Sequence, residues 1–171
     1  GIRKPRAYST VNESRDRGWL LPDADSVRAG GNNWNYTIES FRKWYAENHV
    51  HFVRDGIDFW WNDEGETQWY TYYFWNLAQR AETDAVDSSR RMFTLNRAFT
   101  PGMQRFPAVT WTGDMQDCSH RKALLFASWG QPWFTCDLTS PSATVLLRQY
   151  QGAVWWPMMR VHAMHGVPRF P

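Results

Sequence analysis

The chain has 171 residues, of which 43% are hydrophobic and 21% charged, and its formal net charge is +2. This near-neutral charge argues against a nucleic-acid-binding domain, and the hydrophobic content excludes a disordered chain. No apolar run reaches the roughly 18 residues of a membrane span. The length predicts one domain, residues 1–171, with a substantial core and no linker.

The elements follow from local composition and periodicity. Residues 1–36 are loop-rich, apart from a short strand predicted at 5–10. Beyond them, short apolar strands alternate with segments of helical spacing. In chain order we predict a helix at 37–48, a strand at 57–61, a helix at 67–82, strands at 92–96 and 108–111, a helix at 121–127, a strand at 132–136, a helix at 142–152 and a strand at 157–161. This alternation is typical of parallel β/α units.

Polar side chains follow the carboxyl ends of the predicted strands. Asp63, Asp114, Asp137 and His162 each follow an apolar run. In a β/α barrel these ends open onto one face, which holds the active site. A single Asp at such a position commonly caps the next helix instead. Three in succession, each close to tryptophan, favour a functional site.

Carboxylates beside tryptophans are suited to carbohydrate chemistry. The indole ring packs on the C–H face of a sugar, and two carboxyl groups flanking a glycosidic bond can hydrolyse it. A metal site is the alternative, because His162 and His165, or His49 and His51, are close in sequence. Neither pair has further ligands at a recognisable spacing. The sequence therefore predicts a carbohydrate site without a metal or another cofactor.

The segment 55–66, DGIDFWWNDEGE, resembles the nucleophile segment of glycoside hydrolase family 31, which comprises retaining α-glycosidases such as α-glucosidases and α-xylosidases. The resemblance implies that Asp63 is the nucleophile and that Glu66 is a supporting residue. Trp60 and Trp61 alternate faces of the predicted strand, and we assign Trp61 to the substrate site. Asp58 is predicted to point inward as a structural or supporting carboxylate.

Three further segments resemble the same family, in the family's order. QRFPAVTWTGD at 104–114 implies that Asp114 is the general acid/base and that Arg105 and Trp111 line the sugar subsite, although Arg105 could instead form a structural salt bridge. FTCD at 134–137 implies a sugar-binding Asp137. The block 150–162 implies that His162 contacts the sugar, with Arg160 in support.

The resemblance implies hydrolysis of terminal α-glycosidic bonds by double displacement with retention. The residues after Asp137 are Leu138, Thr139 and Ser140, where the family has Ile-Gly-Gly. This departure leaves the sugar open among α-glucose, α-xylose, α-galactose and α-N-acetylgalactosamine, and transfer to a sugar acceptor is possible. A non-catalytic carbohydrate-binding module and a single-strand nucleic-acid binder are the rival functions. The compartment is not determined by the sequence.

The resemblance also implies a fold, an (β/α)8 TIM barrel of which this chain holds only a part, about strands 3 or 4 to 8. The earlier barrel strands and flanking β domains are expected in a longer parent chain. Because an incomplete barrel leaves sheet edges unpaired, we expect the 171 residues alone to be poorly soluble or inactive. Cys118 and Cys136 are predicted to be buried thiols, with a single disulfide bridge or a nucleophilic thiol as the alternatives.

Overall fold

The computed structural model describes residues 8–21, 34–63, 69–113 and 120–162. Two compact units divide the chain, Gly1–Pro107 and Ala108–Pro171. The first unit contains helices α1 (Tyr8–Asp16), α2 (Glu39–Arg54) and α3 (Thr71–Val86), strands β1 (Trp60–Asn62) and β2 (Thr94–Asn96), and a 3-10 turn at Met103–Arg105. The second contains strands β3 (Ala108–Trp111) and β4 (Phe134–Thr135) and helices α4 (His120–Ser128) and α5 (Ala143–Ala153).

Both strand pairs are parallel, which confirms the predicted β/α organisation. In the first unit Trp60 of β1 is opposite Thr94 of β2, and Asn62 is opposite Asn96. In the second unit Trp111 of β3 is opposite Thr135 of β4. Because side chains alternate along a strand, this register decides which residues face the helices. The strands are shorter than predicted at most positions, and only β3 has the predicted bounds.

Two predicted strands differ from the structure. The described part of the segment 5–10 is not a strand but the start of α1. Near the other end of this helix, Arg17 pairs with Glu13 at 3.1 Å and Trp34 Nε1 donates to Ser14 Oγ at 2.9 Å. The last predicted strand, 157–161, is reduced to one parallel bridge between Leu138 and Val161.

Helix α2 is the predicted aromatic helix, extended at its C-terminus. Phe41 and Tyr45 are buried, as their helical spacing requires. Helix α2 ends at Arg54. Two residues later Gly56 has a φ of 100°, which is left-handed and favours glycine. The Gly56 N–H donates to Val53 O at 3.2 Å and Ile57 N–H to Phe52 O at 3.0 Å, which closes the last turn and directs the chain into β1.

The core of the first unit lies between α2, α3 and the segment before α2. Tyr36 stacks on Trp75 with ring centroids 4.8 Å apart, and Trp75 Nε1 donates to Tyr45 OH at 3.0 Å. Trp19 and Trp34 are also buried. Much of the tryptophan content therefore serves packing, since each ring buries a large apolar area.

In the second unit a buried glutamine links β3 to the segment before β4. Gln131 is buried, and its Nε2 donates to Ala108 O at 3.1 Å, Thr110 Oγ1 at 3.0 Å and Trp133 O at 2.9 Å. Ser142 caps the N-terminus of helix α5, and its Oγ accepts from Val145 N–H at 3.4 Å. Among the described residues no helix is both long and apolar enough to cross a membrane.

The prediction of free thiols is wrong for Cys136. This residue is disulfide-bonded and lies in a buried cluster with Leu138 and Ala153. The chain has one other cysteine, Cys118, which lies outside the described residues. Sequence patterns do not reveal pairing, because it depends on the distance between two segments of the folded chain.

Replacing Cys136 by Ser is expected to lower the free energy of unfolding by about 2–4 kcal/mol, because the cross-link no longer restricts the unfolded chain. Urea unfolding of the variant and the wild type, each with and without reductant, measures this difference. The reduced wild type should resemble the variant, and the variant should not respond to reductant. Equal urea midpoints for all four samples would contradict the expectation.

Candidate active site

Asp63 directly follows β1 and lies beside an arginine. Its Oδ1 accepts from Arg97 Nη1 at 2.7 Å, and the two side chains are 27% and 16% exposed. Arg97 directly follows β2, and its backbone N–H donates to Asn62 O at 3.1 Å. The register of β1 and β2 thus brings the carboxylate and the guanidinium to the same strand ends. A partly buried, charge-assisted bond of this kind orients the carboxylate more strongly than an exposed pair.

A buried amide network holds these strand ends against α3. Asn62 Nδ2 donates to Gln79 Oε1 at 2.9 Å and to Asn96 Oδ1 at 2.7 Å, and Gln79 Nε2 donates back to Asn62 Oδ1 at 2.8 Å. Asn96 Nδ2 in turn donates to Asn76 Oδ1 at 3.0 Å and Thr94 Oγ1 at 3.1 Å. All five side chains are buried. Buried amide groups need hydrogen-bond partners. The network therefore holds in place the side chains of Asn62 and Asn96, which immediately precede Asp63 and Arg97.

Strand alternation places Trp61 on the face opposite the helices. Trp60 packs edge-on against Phe52 of α2, with centroids 6.1 Å apart, and Asn62 bonds to Gln79 of α3. Residue 61 has the opposite parity and therefore points away from these helices. In a β/α barrel that face is the interior. Asp63 follows the strand and lies beside Arg97. The roles of Trp61 and Asp63 in the site stay predictions.

Asp58 differs from the prediction. It precedes β1 and is 84% exposed, and it pairs with Arg90, which also donates to Ile57 O at 2.9 Å. The prediction that it points inward is wrong, because the strand begins only at Trp60 and alternation does not apply before it. Asp58 and Asp63 flank opposite ends of β1.

Arg105 lies in the 3-10 turn at Met103–Arg105 and is exposed. Its Nη1 donates to Tyr73 OH at 2.9 Å, and its guanidinium carbon is 5.7 Å from the ring centroid of Phe106. The structure therefore gives this arginine aromatic neighbours in its own unit. Its role in a sugar subsite stays a prediction.

The second unit brings four predicted residues together. Trp111 ends β3, and Asp137 follows β4 and is 1% exposed. Arg160 Nη1 pairs with Asp137 Oδ1, and Arg160 Nη2 lies 3.3 Å from His162 Nδ1. The guanidinium carbon of Arg160 is 5.5 Å from the Trp111 ring centroid, within the range of a cation–π contact. We call these four residues the arginine cluster.

Backbone bonds hold the arginine cluster in register. Leu138 N–H donates to Arg160 O at 3.2 Å, and His162 N–H donates to Leu138 O at 3.4 Å. Leu138 itself is buried in a cluster with Cys136 and Ala153. The side chain at this departure from the family pattern therefore packs in the core of the second unit.

Asp114 and Glu66 lie outside the described residues. The described residues contain no group of three or more His, Cys, Asp or Glu side chains that could hold a metal ion. Sequence reasoning did not identify Arg97 or the amides that support it. Arg97 carries the same signal as Asp63, because it follows a predicted apolar strand. The amides Asn62 and Asn96 end β1 and β2 without a recognisable motif.

Comparison with known proteins decides the family. Residues 1–170 match the TIM-barrel domain of glycosyl hydrolases family 31. The chain belongs to glycosyl hydrolase family 31. This confirms both the resemblance and the partial (β/α)8 barrel that it implied.

Two of the relatives that this chain matches are named as glucosidases. The chain is 32% identical over 110 residues to a probable glucan 1,3-alpha-glucosidase of Oryza sativa subsp. japonica, covering 58% of this chain and 12% of the relative. It is 35% identical over 86 residues to glucosidase 2 subunit alpha of Saccharomyces cerevisiae, covering 44% of this chain and 9% of the relative. The chain therefore corresponds to a small part of each relative's length.

A solved family 31 structure has the same fold. This protein is a dextranase from Flavobacterium johnsoniae, determined as a mutant complexed with isomaltotriose. It superposes with a TM-score of 0.66 at 19% identity and covers 90% of this chain and 25% of the dextranase chain. At this identity the comparison supports the barrel fold alone.

Proposed function

We propose that this chain is part of the catalytic barrel of a retaining α-glycosidase of the α-glucosidase type, which hydrolyses terminal α-glycosidic bonds. The observation that carries the proposal is the position of Asp63. It directly follows β1 and is held by Arg97 at 2.7 Å. A carboxylate at the carboxyl end of a barrel strand is where these enzymes place catalytic groups. The named activities of the rice and yeast relatives support the sugar.

The proposed mechanism is a double displacement. The Asp63 carboxylate attacks the anomeric carbon while Asp114 donates a proton to the leaving oxygen, and a covalent glycosyl-enzyme forms. Asp114 then removes a proton from water, which releases the sugar with retained configuration. Retention requires the two carboxyl groups to be about 5–5.5 Å apart. Arg97 keeps the attacking oxygens oriented before the ester forms, and Asp137 and His162 bind sugar hydroxyls.

The chain acts, in this proposal, within a longer parent protein. It spans 12% of the rice relative and 9% of the yeast relative. Other segments of the parent supply the earlier barrel strands and flanking β domains, and its substrates are oligosaccharides or α-glycosides. Experiments on activity therefore use the parent protein.

A panel of aryl α- and β-glycosides incubated with the parent protein tests the proposed function. We expect cleavage of the α-glucoside above the α-xyloside, α-galactoside and α-N-acetylgalactosaminide, and release of the α-anomer, which NMR of the fresh product detects. Cleavage of β-glycosides alone, or release of the β-anomer, would exclude the mechanism. Binding of α-glucan without turnover would favour a carbohydrate-binding module instead.

Replacing Arg97 by Met is expected to lower kcat/KM by about 10–100-fold, because Asp63 loses the charged donor that orients it. Arg97→Lys should recover part of the loss, since the ammonium keeps the charge without the planar fork. The exposed Arg91 provides a matched control, Arg91→Met. An Arg97→Met enzyme within about threefold of the wild type would show that the ion pair has no catalytic role.

A further inference from the structure

Arg160 is the centre of the arginine cluster. Its side chain is 13% exposed and contacts Asp137, His162 and Trp111 at once. We propose that Arg160 is a positioning residue that sets the tautomer of His162, so that His162 acts as a hydrogen-bond donor through Nε2. The inference rests on the proposed function for its ligand, a sugar hydroxyl.

The tautomer follows from the chemistry of the two side chains. A guanidinium has five N–H donors and no acceptor. Its Nη2, 3.3 Å from His162 Nδ1, can therefore form a hydrogen bond only if Nδ1 offers its lone pair. In a neutral imidazole the other nitrogen then carries the proton. The contact thus selects the form of His162 with N–H on Nε2.

Arg160 is itself held in a fixed orientation. The ion pair to the buried Asp137 fixes one end of the guanidinium, and the ring of Trp111 limits its rotation. The backbone bonds between Leu138 and residues 160 and 162 keep the two side chains on one short segment. Because the fork is rigid and planar, fixing Nη1 on Asp137 also fixes the direction of Nη2 toward His162.

The arginine cluster therefore contains one group that only accepts hydrogen bonds, Asp137, and one that donates, His162. An ionised Asp137 can only accept hydrogen bonds, and His162 with N–H on Nε2 donates one. A sugar hydroxyl both donates and accepts, so adjacent hydroxyls can satisfy the two groups in one orientation. If the proton moved to Nδ1, Nε2 of His162 would become a hydrogen-bond acceptor. It could then no longer donate to the oxygen of a sugar hydroxyl.

Monodeoxy aryl α-glucosides tested on the parent protein examine this coupling. The hydroxyl that His162 binds is the one whose removal lowers kcat/KM in the wild type but not in His162→Ala. We expect Arg160→Met to lower kcat/KM for the intact substrate by about tenfold or more and to abolish the penalty for that deoxy analogue alone. Arg160→Lys, which still offers donors only, should keep most of the penalty.

The controls separate this coupling from a general structural effect. Arg148 on α5 is exposed, and Arg148→Met should leave the deoxy profile unchanged. A thermal unfolding midpoint for each variant shows that it folds, and Arg160→Leu, which also removes the donors, replaces Arg160→Met if the latter does not. An equal loss on every deoxy analogue in the folded Arg160 variants would overturn the inference. A parent protein that cleaves no α-glycoside would instead refute the proposed function.

Discussion

Replacing Asp63 by Asn is expected to lower kcat for α-glycoside hydrolysis by at least about 10³-fold, because an amide cannot form the glycosyl ester. Substrate binding should persist, since the amide keeps the shape of the side chain and an oxygen that accepts from Arg97. Steady-state kinetics of the parent protein measure kcat, and isothermal titration with a slow substrate measures binding. Asp84→Asn, at a surface position paired with Arg80 on α3, is the matched control and should retain wild-type activity.

The stereochemistry of chemical rescue separates a nucleophile from a merely structural carboxylate. In Asp63→Ala, azide can enter the vacated space and attack the anomeric carbon once, so an α-glycoside should yield the β-glycosyl azide. In Asp114→Ala the glycosyl-enzyme still forms, and azide should then yield the α-glycosyl azide. NMR of the products distinguishes the two. The opposite pairing of variants and anomers would mean that the two carboxylates have exchanged roles, and no rescue in either would count against double displacement.

Replacing Glu82 by Gln is expected to change the pH dependence of stability. Glu82 lies on α3 and is buried, and burial raises the pKa of its carboxyl to about 9. Neither carboxyl oxygen has a hydrogen-bond partner among the described residues. The folded protein therefore holds this proton at neutral pH, whereas the unfolded chain releases it near the ordinary value of about 4.3.

The sign of the effect follows from proton uptake. Between about pH 4.5 and pH 9 the folded state binds one more proton at Glu82 than the unfolded state, so stability falls as pH rises. The wild type should lose about 1.4 kcal/mol per pH unit relative to Glu82→Gln in this window. The neighbouring phenols of Tyr36 and Tyr45 do not contribute, because burial raises the pKa of both above the window.

Urea unfolding of the parent protein at pH 5, 6, 7 and 8 measures the difference between wild type and Glu82→Gln. The matched control is Glu39→Gln. Glu39 is exposed, and the hydrogen bond from Lys43 lowers the pKa of its carboxyl, so its contribution is lost only at lower pH and its difference should be flat from pH 5 to pH 8. A flat difference for Glu82→Gln as well would mean that Glu82 is ionised in the folded protein.

The limits of sequence reasoning are visible in particular residues. Asp63 and Asp137 could be identified because each ends an apolar run, and a parallel β/α pattern places such ends together. Arg97, the partner of Asp63, is 34 residues away in sequence, and no local period connects them. The free thiol predicted for Cys136 and the inward orientation predicted for Asp58 failed for the same reason. Both depended on contacts or strand bounds that periodicity does not define.

The sequence by itself determined the family, the alternation of strands and helices, and the candidate carboxylates, because these depend on local spacing and on motifs of a few residues. Only the tertiary structure decided which side chains hold these carboxylates in place. The register of β1 and β2 places Arg97 on Asp63, and the segment after β4 places Arg160 between Asp137 and His162. The physical reason is that charge pairing and tautomer choice depend on distances of a few ångströms between residues far apart in the chain.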